Sequence, residues 1–183
     1  MMKRAKDIAE AEPSYFTDQL HNVDAVKGYE PIGRELLQQI DEPIHAFCST
    51  VGTAAMLMGV ARIVRRSNPP PYLVALEPAS TPIISKGING THHVEGVGIG
   101  FAPPLLDKSL YDEARGIDES EARRMASRLT SEEGIFAGTS SGMNVLGACK
   151  LAQELGPGYS FVTVATDSGL KYLAGDLYSQ EHR

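Results

Sequence analysis

The chain has 183 residues, 42% of them apolar and 22% charged, and a formal net charge of −6. That is enough apolar material for one ordinary domain with its own core, while acidic and basic residues mixed along the chain build no strongly basic face, which argues against a nucleic-acid partner. No run approaches membrane-spanning length, and two cysteines, Cys48 and Cys149, give neither a disulfide framework nor metal-ligand spacing, so a cytoplasmic setting without a metal is expected.

In chain order, Met1 to Ala11 carries charges every few residues and no apolar centre, so it reads as a helix over Met2 to Glu10 and not as a signal peptide. A second helix is expected from about Glu30 to Ile40. Ile44 to Ser49 is an apolar strand that runs into Gly52-Thr53-Ala54-Ala55 and a helix over Thr53 to Arg66; Tyr72 to Leu76 is the next strand. Glu77 to Ser109 differs, because Pro78, Pro82, Pro103 and Pro104 alternate with Gly87, Gly90, Gly96, Gly98 and Gly100, and an irregular segment of that length reads as a lid or binding loop. A helix follows over Ser120 to Glu133. Ile135-Phe136-Ala137 is a short strand that passes through Gly138-Thr139-Ser140-Ser141-Gly142 into a helix ending near Leu155, and Phe161 to Ala165 is a strand leading through Asp167-Ser168-Gly169 into a last helix. The groups Arg62, Arg65, Arg66 and Arg123, Arg124, Arg128 read as solvated helix faces. Strands alternating with helices predict an α/β fold, a parallel sheet with helices on both faces in three layers.

Three strand-to-helix turns of one kind predict one shared ligand edge, since the first amides of a helix lack acceptors and suit an anion or a ring nitrogen. Gly138 to Gly142 also satisfies G-x-S-x-G, with Asp167 and His182 in triad order, but a base at the penultimate residue lacks the fixed hydrogen bond that a serine nucleophile needs. Gly96-Val97-Gly98-Ile99-Gly100 fails as a dinucleotide fingerprint, because Phe101-Ala102-Pro103-Pro104 follows where a helix should open. The Gly52 turn has no lysine and is not a Walker loop. It is suited instead to a phosphate monoester held by amides, the Thr53 hydroxyl and the helix dipole.

The order Gln19-Leu20-His21-Asn22, Val51-Gly52-Thr53, Val74-Ala75-Leu76-Glu77-Pro78, Thr81-Pro82-Ile83-Ile84-Ser85, His92-His93-Val94-Glu95-Gly96-Val97-Gly98-Ile99-Gly100-Phe101, Glu132-Glu133-Gly134-Ile135, Gly138-Thr139-Ser140-Ser141-Gly142 and Asp167-Ser168-Gly169-Leu170-Lys171-Tyr172-Leu173 resembles the cysteine synthase and cystathionine β-synthase family across essentially the whole chain. The resemblance implies a pyridoxal 5'-phosphate cofactor, the tryptophan synthase β-like fold (fold type II) and β-replacement on an O-activated amino-acid substrate. It implies that Gly52, Thr53, Ala54, Ala55 and Met56 hold the cofactor phosphate and that Ser140 meets the pyridine nitrogen, where a neutral hydroxyl suits elimination and replacement chemistry. Gln19, Gly96 and Gly98 match substrate-binding positions, and Asp167 is expected to cap a helix and support Ser140.

Two departures accompany the resemblance. The family loop usually reads Gly-Thr-Gly-Gly-Thr, so Ala54, Ala55 and Met56 replace two glycines and a hydroxyl. The Schiff-base lysine, in a Ser-x-Lys-x-Arg context, matches none of Lys3, Lys6, Lys27, Lys86, Lys108, Lys150 and Lys171. The expectation is therefore an incomplete fold, with residues 1–183 mainly the large cofactor-binding domain, the amino-terminal lysine-bearing region without a counterpart, no catalytic residue inherited, and self-association as a homodimer. A non-catalytic phosphate-binding or regulatory module and a serine hydrolase at 138–142 are the alternatives.

Overall fold

The computed structural model describes residues 2–178. Helix α1 (Met2–Ala11) is followed by α2 (Val23–Gln39), whose start is fixed by Asn22, the side chain of which accepts from Asp24 N–H. The expected start near Glu30 is too late. Pro31 lies inside α2, and a proline favours the first helical turn, so its position masks the turns that precede it.

Strand β1 (Ile44–Thr50) leads into α3 (Ala55–Val64), then β2 (Tyr72–Pro78), the short α4 (Ile83–Lys86), β3 (Glu113–Ile117), α5 (Glu119–Glu133), α6 (Thr139–Leu155) and β4 (Ser160–Val162). The four strands form one sheet in the order β3-β2-β1-β4, and every pairing is parallel. Side chains alternate across it. Phe47, Leu73 and Ala75 pack with Val26 of α2 and Leu57, Val60 and Val64 of α3. Ala46, Cys48, Val74 and Leu76 pack with Ala122 of α5 and Met143 and Leu151 of α6. The three-layer α/β architecture expected from the sequence is the one observed.

The strand assignments differ in two places. Ile135–Ala137 is not a strand: Ala137 makes a lone antiparallel bridge to Ser168, and Ile135 is exposed, so the segment lies outside the parallel ladder. The strand that pairs with β2 is instead β3, Glu-Ala-Arg-Gly-Ile, whose Glu113 and Arg115 bind each other at 2.9 Å on the sheet edge. Downstream of β4, the expected last helix is a single 3₁₀ turn over Gly169–Tyr172.

The segment between β2 and β3 is irregular apart from α4, and buried polar groups hold it. Glu77 is 2% exposed, and its carboxylate accepts from Ile84 N–H at 2.6 Å, Ser85 N–H at 2.9 Å and the Ser85 hydroxyl at 2.5 Å, so its desolvation is compensated at the start of α4. Farther along, His92 Nδ1 accepts from Val94 N–H at 3.2 Å and Nε2 donates to Gly98 O at 2.9 Å. That fixes one neutral tautomer and closes residues 92–98 into a loop. Gly98 N–H in turn donates to Val51 O at 3.2 Å, tying the loop to the end of β1.

Burial pushes the Cys48 thiol up to about 11, while Cys149 is exposed. In the native protein an aromatic disulfide reagent at pH 8 is expected to titrate one thiol quickly and the second only in denaturant, with Cys149→Ser removing the fast phase. Because folding holds the Cys48 proton beyond the unfolded thiol's value of 9.0, stability should fall between about pH 9 and pH 11, and Cys48→Ala should flatten that fall.

Candidate functional site

Strands β1, β2 and β3 step outward in one direction and the chain then returns to place β4 on the other side of β1. The carboxyl ends of β1 and β4 therefore form a topological switch point, where a parallel sheet leaves a crevice. The β1–β4 pairing ends at Phe47 and Val162, and beyond it side chains continue the work of the ladder. Asn144 of α6, fully buried, accepts from Thr50 N–H at 2.7 Å and donates to Val164 O at 2.8 Å. Thr163 Oγ1 donates to Cys48 O at 2.7 Å.

Three turns meet at this crevice. After β1, Gly52 lies against the 92–98 loop so closely that a Cβ would overlap the Gly96 carbonyl oxygen. Ala54 opens α3 with φ 69° and ψ −9° and no side-chain cap, a left-handed conformation that costs an alanine about 1–2 kcal/mol. Ala55 N–H reaches Thr53 Oγ1 at 3.4 Å, and the first-turn amides have no acceptor within their own helix.

The second turn starts α6. Gly138, its N-cap, has no side-chain cap of its own; Asp167 supplies one from the third turn, Oδ1 accepting from Gly138 N–H at 3.1 Å and Oδ2 from Tyr172 hydroxyl at 2.6 Å. Burial and Asp167 both push the Tyr172 phenol well above its ordinary value. Asp167 was expected to cap a helix, and the helix it serves is α6; the 3₁₀ turn is capped by Ser168, which accepts from Leu170 N–H. Ser140 Oγ is 2.7 Å from Thr166 Oγ1, and Ser141 Oγ accepts from Thr166 N–H at 2.9 Å.

A cavity of about 330 Å³ lies between these turns, and its lining brings together Gln19, Gly52, Thr53, Ala54, Ala55, Met56, Gly96, Ser140 and Asp167. Gly98 does not reach it; a Cβ there would run into the His92 ring, so its place is in the support of the loop. His182 lies outside the described residues. The lining also includes Tyr29, Thr50, Glu95, Thr166 and Lys171, which sequence reasoning missed. Thr166 directly precedes Asp167, and Asn144 stands as an amide in a helix otherwise facing apolar core, so each left a signal. Tyr29, 40% exposed on α2, left none.

Of the seven lysines, Lys171 is the one lining the cavity, its Nζ 2.6 Å from Glu95 Oε2; Glu95 raises its pKa. The opposite wall offers amides, the Thr53 hydroxyl and the positive end of a helix, a donor set for a phosphate monoester. Ser140 offers a neutral hydroxyl that can donate to an aromatic ring nitrogen, with Thr166 as its partner. Methionine at position 56 adds no donor, and its Sδ instead receives the Ser49 hydroxyl at 3.8 Å. Among the described residues, no group of three or more His, Cys, Asp or Glu could hold a metal ion.

Residues 1–167 match the family described as pyridoxal-phosphate dependent enzyme. A cysteine synthase of Staphylococcus aureus is 37% identical over 180 residues, covering 97% of this chain and 58% of that protein. The crystal structure of O-acetylserine sulfhydrylase isoform 3 from Entamoeba histolytica superimposes with a TM-score of 0.91 at 28% identity, covering 97% of this chain and 54% of that one. An O-acetylserine-dependent cystathionine β-synthase from Helicobacter pylori gives 0.88 at 30% identity, with 97% and 58% covered. The chain thus spans somewhat over half the length of these proteins.

Asn144→Leu leaves the buried Thr50 N–H and the half-buried Val164 C=O without their side-chain partner and is expected to destabilise the fold by about 1–3 kcal/mol. Ala54→Gly relieves the left-handed alanine against a smaller backbone-entropy cost and should stabilise by about 0.5–1 kcal/mol. Both are read from urea denaturation midpoints at unchanged slope.

Proposed function

This chain belongs to the pyridoxal-phosphate-dependent enzyme family, and from that membership we propose that it carries the cofactor-holding part of a β-replacement site of the cysteine synthase kind, acting on an O-activated serine. The observation that supports this most is that the Gly52 turn and Ser140 line one cavity at the switch point of the sheet. Residues 1–183 are read as mainly the large cofactor-binding domain of a cytoplasmic homodimer.

In this reading pyridoxal 5'-phosphate, when bound, supplies an electron sink for charge developing at the substrate α-carbon. The amides of α3's first turn and the Thr53 hydroxyl hold its phosphate without a cation, and the α3 dipole favours the dianion. Ser140 Oγ donates to the ring nitrogen and, being a neutral alcohol, leaves that nitrogen unprotonated, which moderates the sink and suits loss of a β-substituent. Thr166 fixes the rotation of that hydroxyl. Gln19, at the mouth, orients the substrate carboxylate through its amide, and Gly96 bounds the space beside the amino acid. Asp167 keeps α6 pointed at the ring by holding Gly138. No residue of the chain is assigned the covalent lysine role, so on its own the chain is expected to form little or no cysteine.

The test is an absorbance titration of the purified chain with pyridoxal 5'-phosphate, in parallel with Ser140→Ala and Gly52→Asp. Saturable binding that retains the free-aldehyde spectrum, lost in Gly52→Asp and weakened about tenfold or more in Ser140→Ala, is the expected result. Absence of binding to the unsubstituted chain, or binding indifferent to both substitutions, would overturn the reading and favour a module with another ligand.

A further inference from the structure

The end of the sheet opposite the crevice carries a cavity of about 390 Å³. His45 near the start of β1, with Tyr72 and Glu113 at the starts of β2 and β3, lines it from the sheet. Leu151 and Leu155 close it from the end of α6, and Tyr159, half exposed just before β4, completes the wall.

A bulge places one of the rings. Ile44 pairs with Ser160 and Ala46 with Phe161, so His45 is an extra residue in β1, and a bulge re-aims the side chain it carries. His45 Nδ1 accepts from Ser160 N–H at 3.0 Å, which leaves a neutral ring with its proton on Nε2. That ring meets Tyr159 edge to face, centroids 4.8 Å apart and planes at 88°. The two rings are adjoining walls at a right angle, and Tyr72 adds a third.

The charge around these rings is negative. Arg115, the guanidinium in the lining, is held by Glu113 through two contacts at 2.9 Å and by Glu154 at 2.8 Å, two carboxylates for one cation. Beside the His45–Tyr159 corner, Glu42 accepts the Ser160 hydroxyl at 3.2 Å. Helix α6 also ends here with no basic residue in its last turn, so the negative end of its dipole is not offset and favours a cation.

The carboxylates are, however, already engaged. Both Glu113 oxygens and one of Glu154 accept from Arg115, and the Tyr72 hydroxyl donates to Glu113 at 3.2 Å. A primary ammonium would have to break charged hydrogen bonds to make its own. A quaternary ammonium has no N–H and needs only ring faces, apolar contact and a negative field.

We propose that this cavity binds the quaternary ammonium group of a small organic molecule, its methyls against the rings of His45, Tyr72 and Tyr159 and against Leu151 and Leu155. The volume suits a small molecule, and the surplus carboxylate excludes an anion. The site shares no residue with the crevice, so it stands or falls independently of the function proposed above.

The test is a titration of choline into the ¹⁵N-labelled chain. Saturable amide shifts at His45, Tyr72, Leu155 and Tyr159 are expected, with an affinity at least about fivefold above that of dimethylbutanol, the uncharged carbon analogue, and of ethanolamine, the primary amine. Tyr159→Leu should weaken choline binding about fivefold or more and Tyr159→Phe should keep it, since the ring face and not the hydroxyl makes the contact. Glu154→Gln, at a side chain 56% exposed and so without consequence for the core, should weaken it about twofold or more. No saturable shift with choline, equal binding of dimethylbutanol, or a choline affinity unchanged in both Tyr159→Leu and Glu154→Gln overturns the proposal.

Discussion

The amide of Asn144 is the interaction on which the site depends. Parallel strands hold together by a continuous ladder, yet a crevice at the carboxyl edge requires two neighbours to part. At β1 and β4 the ladder stops at Phe47 and Val162, and from there the buried Thr50 N–H would have nothing to bond, a cost of about 1–3 kcal/mol, and the half-buried Val164 C=O would lose its partner inside the fold. Asn144 substitutes for the missing backbone, giving an acceptor to one strand and a donor to the other. The strands can then diverge without leaving polar groups orphaned, and because Asn144 lies one turn beyond Ser140 on α6, the same residue sets the height of that hydroxyl over the opening.

The turns around the crevice are braced from outside themselves. Gly138 is capped by Asp167, 29 residues away, and Ser140 by Thr166, 26 residues away. Gly52 is confined by the 92–98 loop, itself closed by one neutral tautomer of His92. Preorganisation here comes from the neighbours of each contact group. Replacing glycine by alanine at 54 is tolerated because the turn is over-determined by these contacts, the circumstance in which backbone strain persists.

Much of this was legible in the sequence for physical reasons that can be named. The turns at Gly52, Ser140 and Asp167 were readable because glycine and small hydroxyl residues after an apolar run mark a helix start whatever precedes it, and they converge even though Ile135–Ala137 is no strand and β4 is only three residues long. What precedes a turn was less readable. Strand β3 pairs only with β2, on the sheet edge, and edge strands carry charge, so Glu113 and Arg115 hid it from any search for apolar runs. Pro31 hid the first turns of α2. Glu95 and Thr166 line the site from segments that sequence presents as loop and turn, and Lys171 from an expected helix that is a single 3₁₀ turn; their meeting is a property of the sheet order, which no local pattern encodes.

Long-range bracing also sets an order of events during synthesis. Thr50 must wait for Asn144, 94 residues later, and Gly138 and Ser140 must wait for Thr166 and Asp167. A chain emerging amino terminus first can complete β1, α3 and β2 and bury Phe47, Leu73 and Val60 against α2 while still attached to the ribosome, but the crevice has no far wall until the residues around Tyr172 have cleared the exit. Translation therefore delivers the scaffold before the crevice, whose far wall closes only on a sheet already laid down.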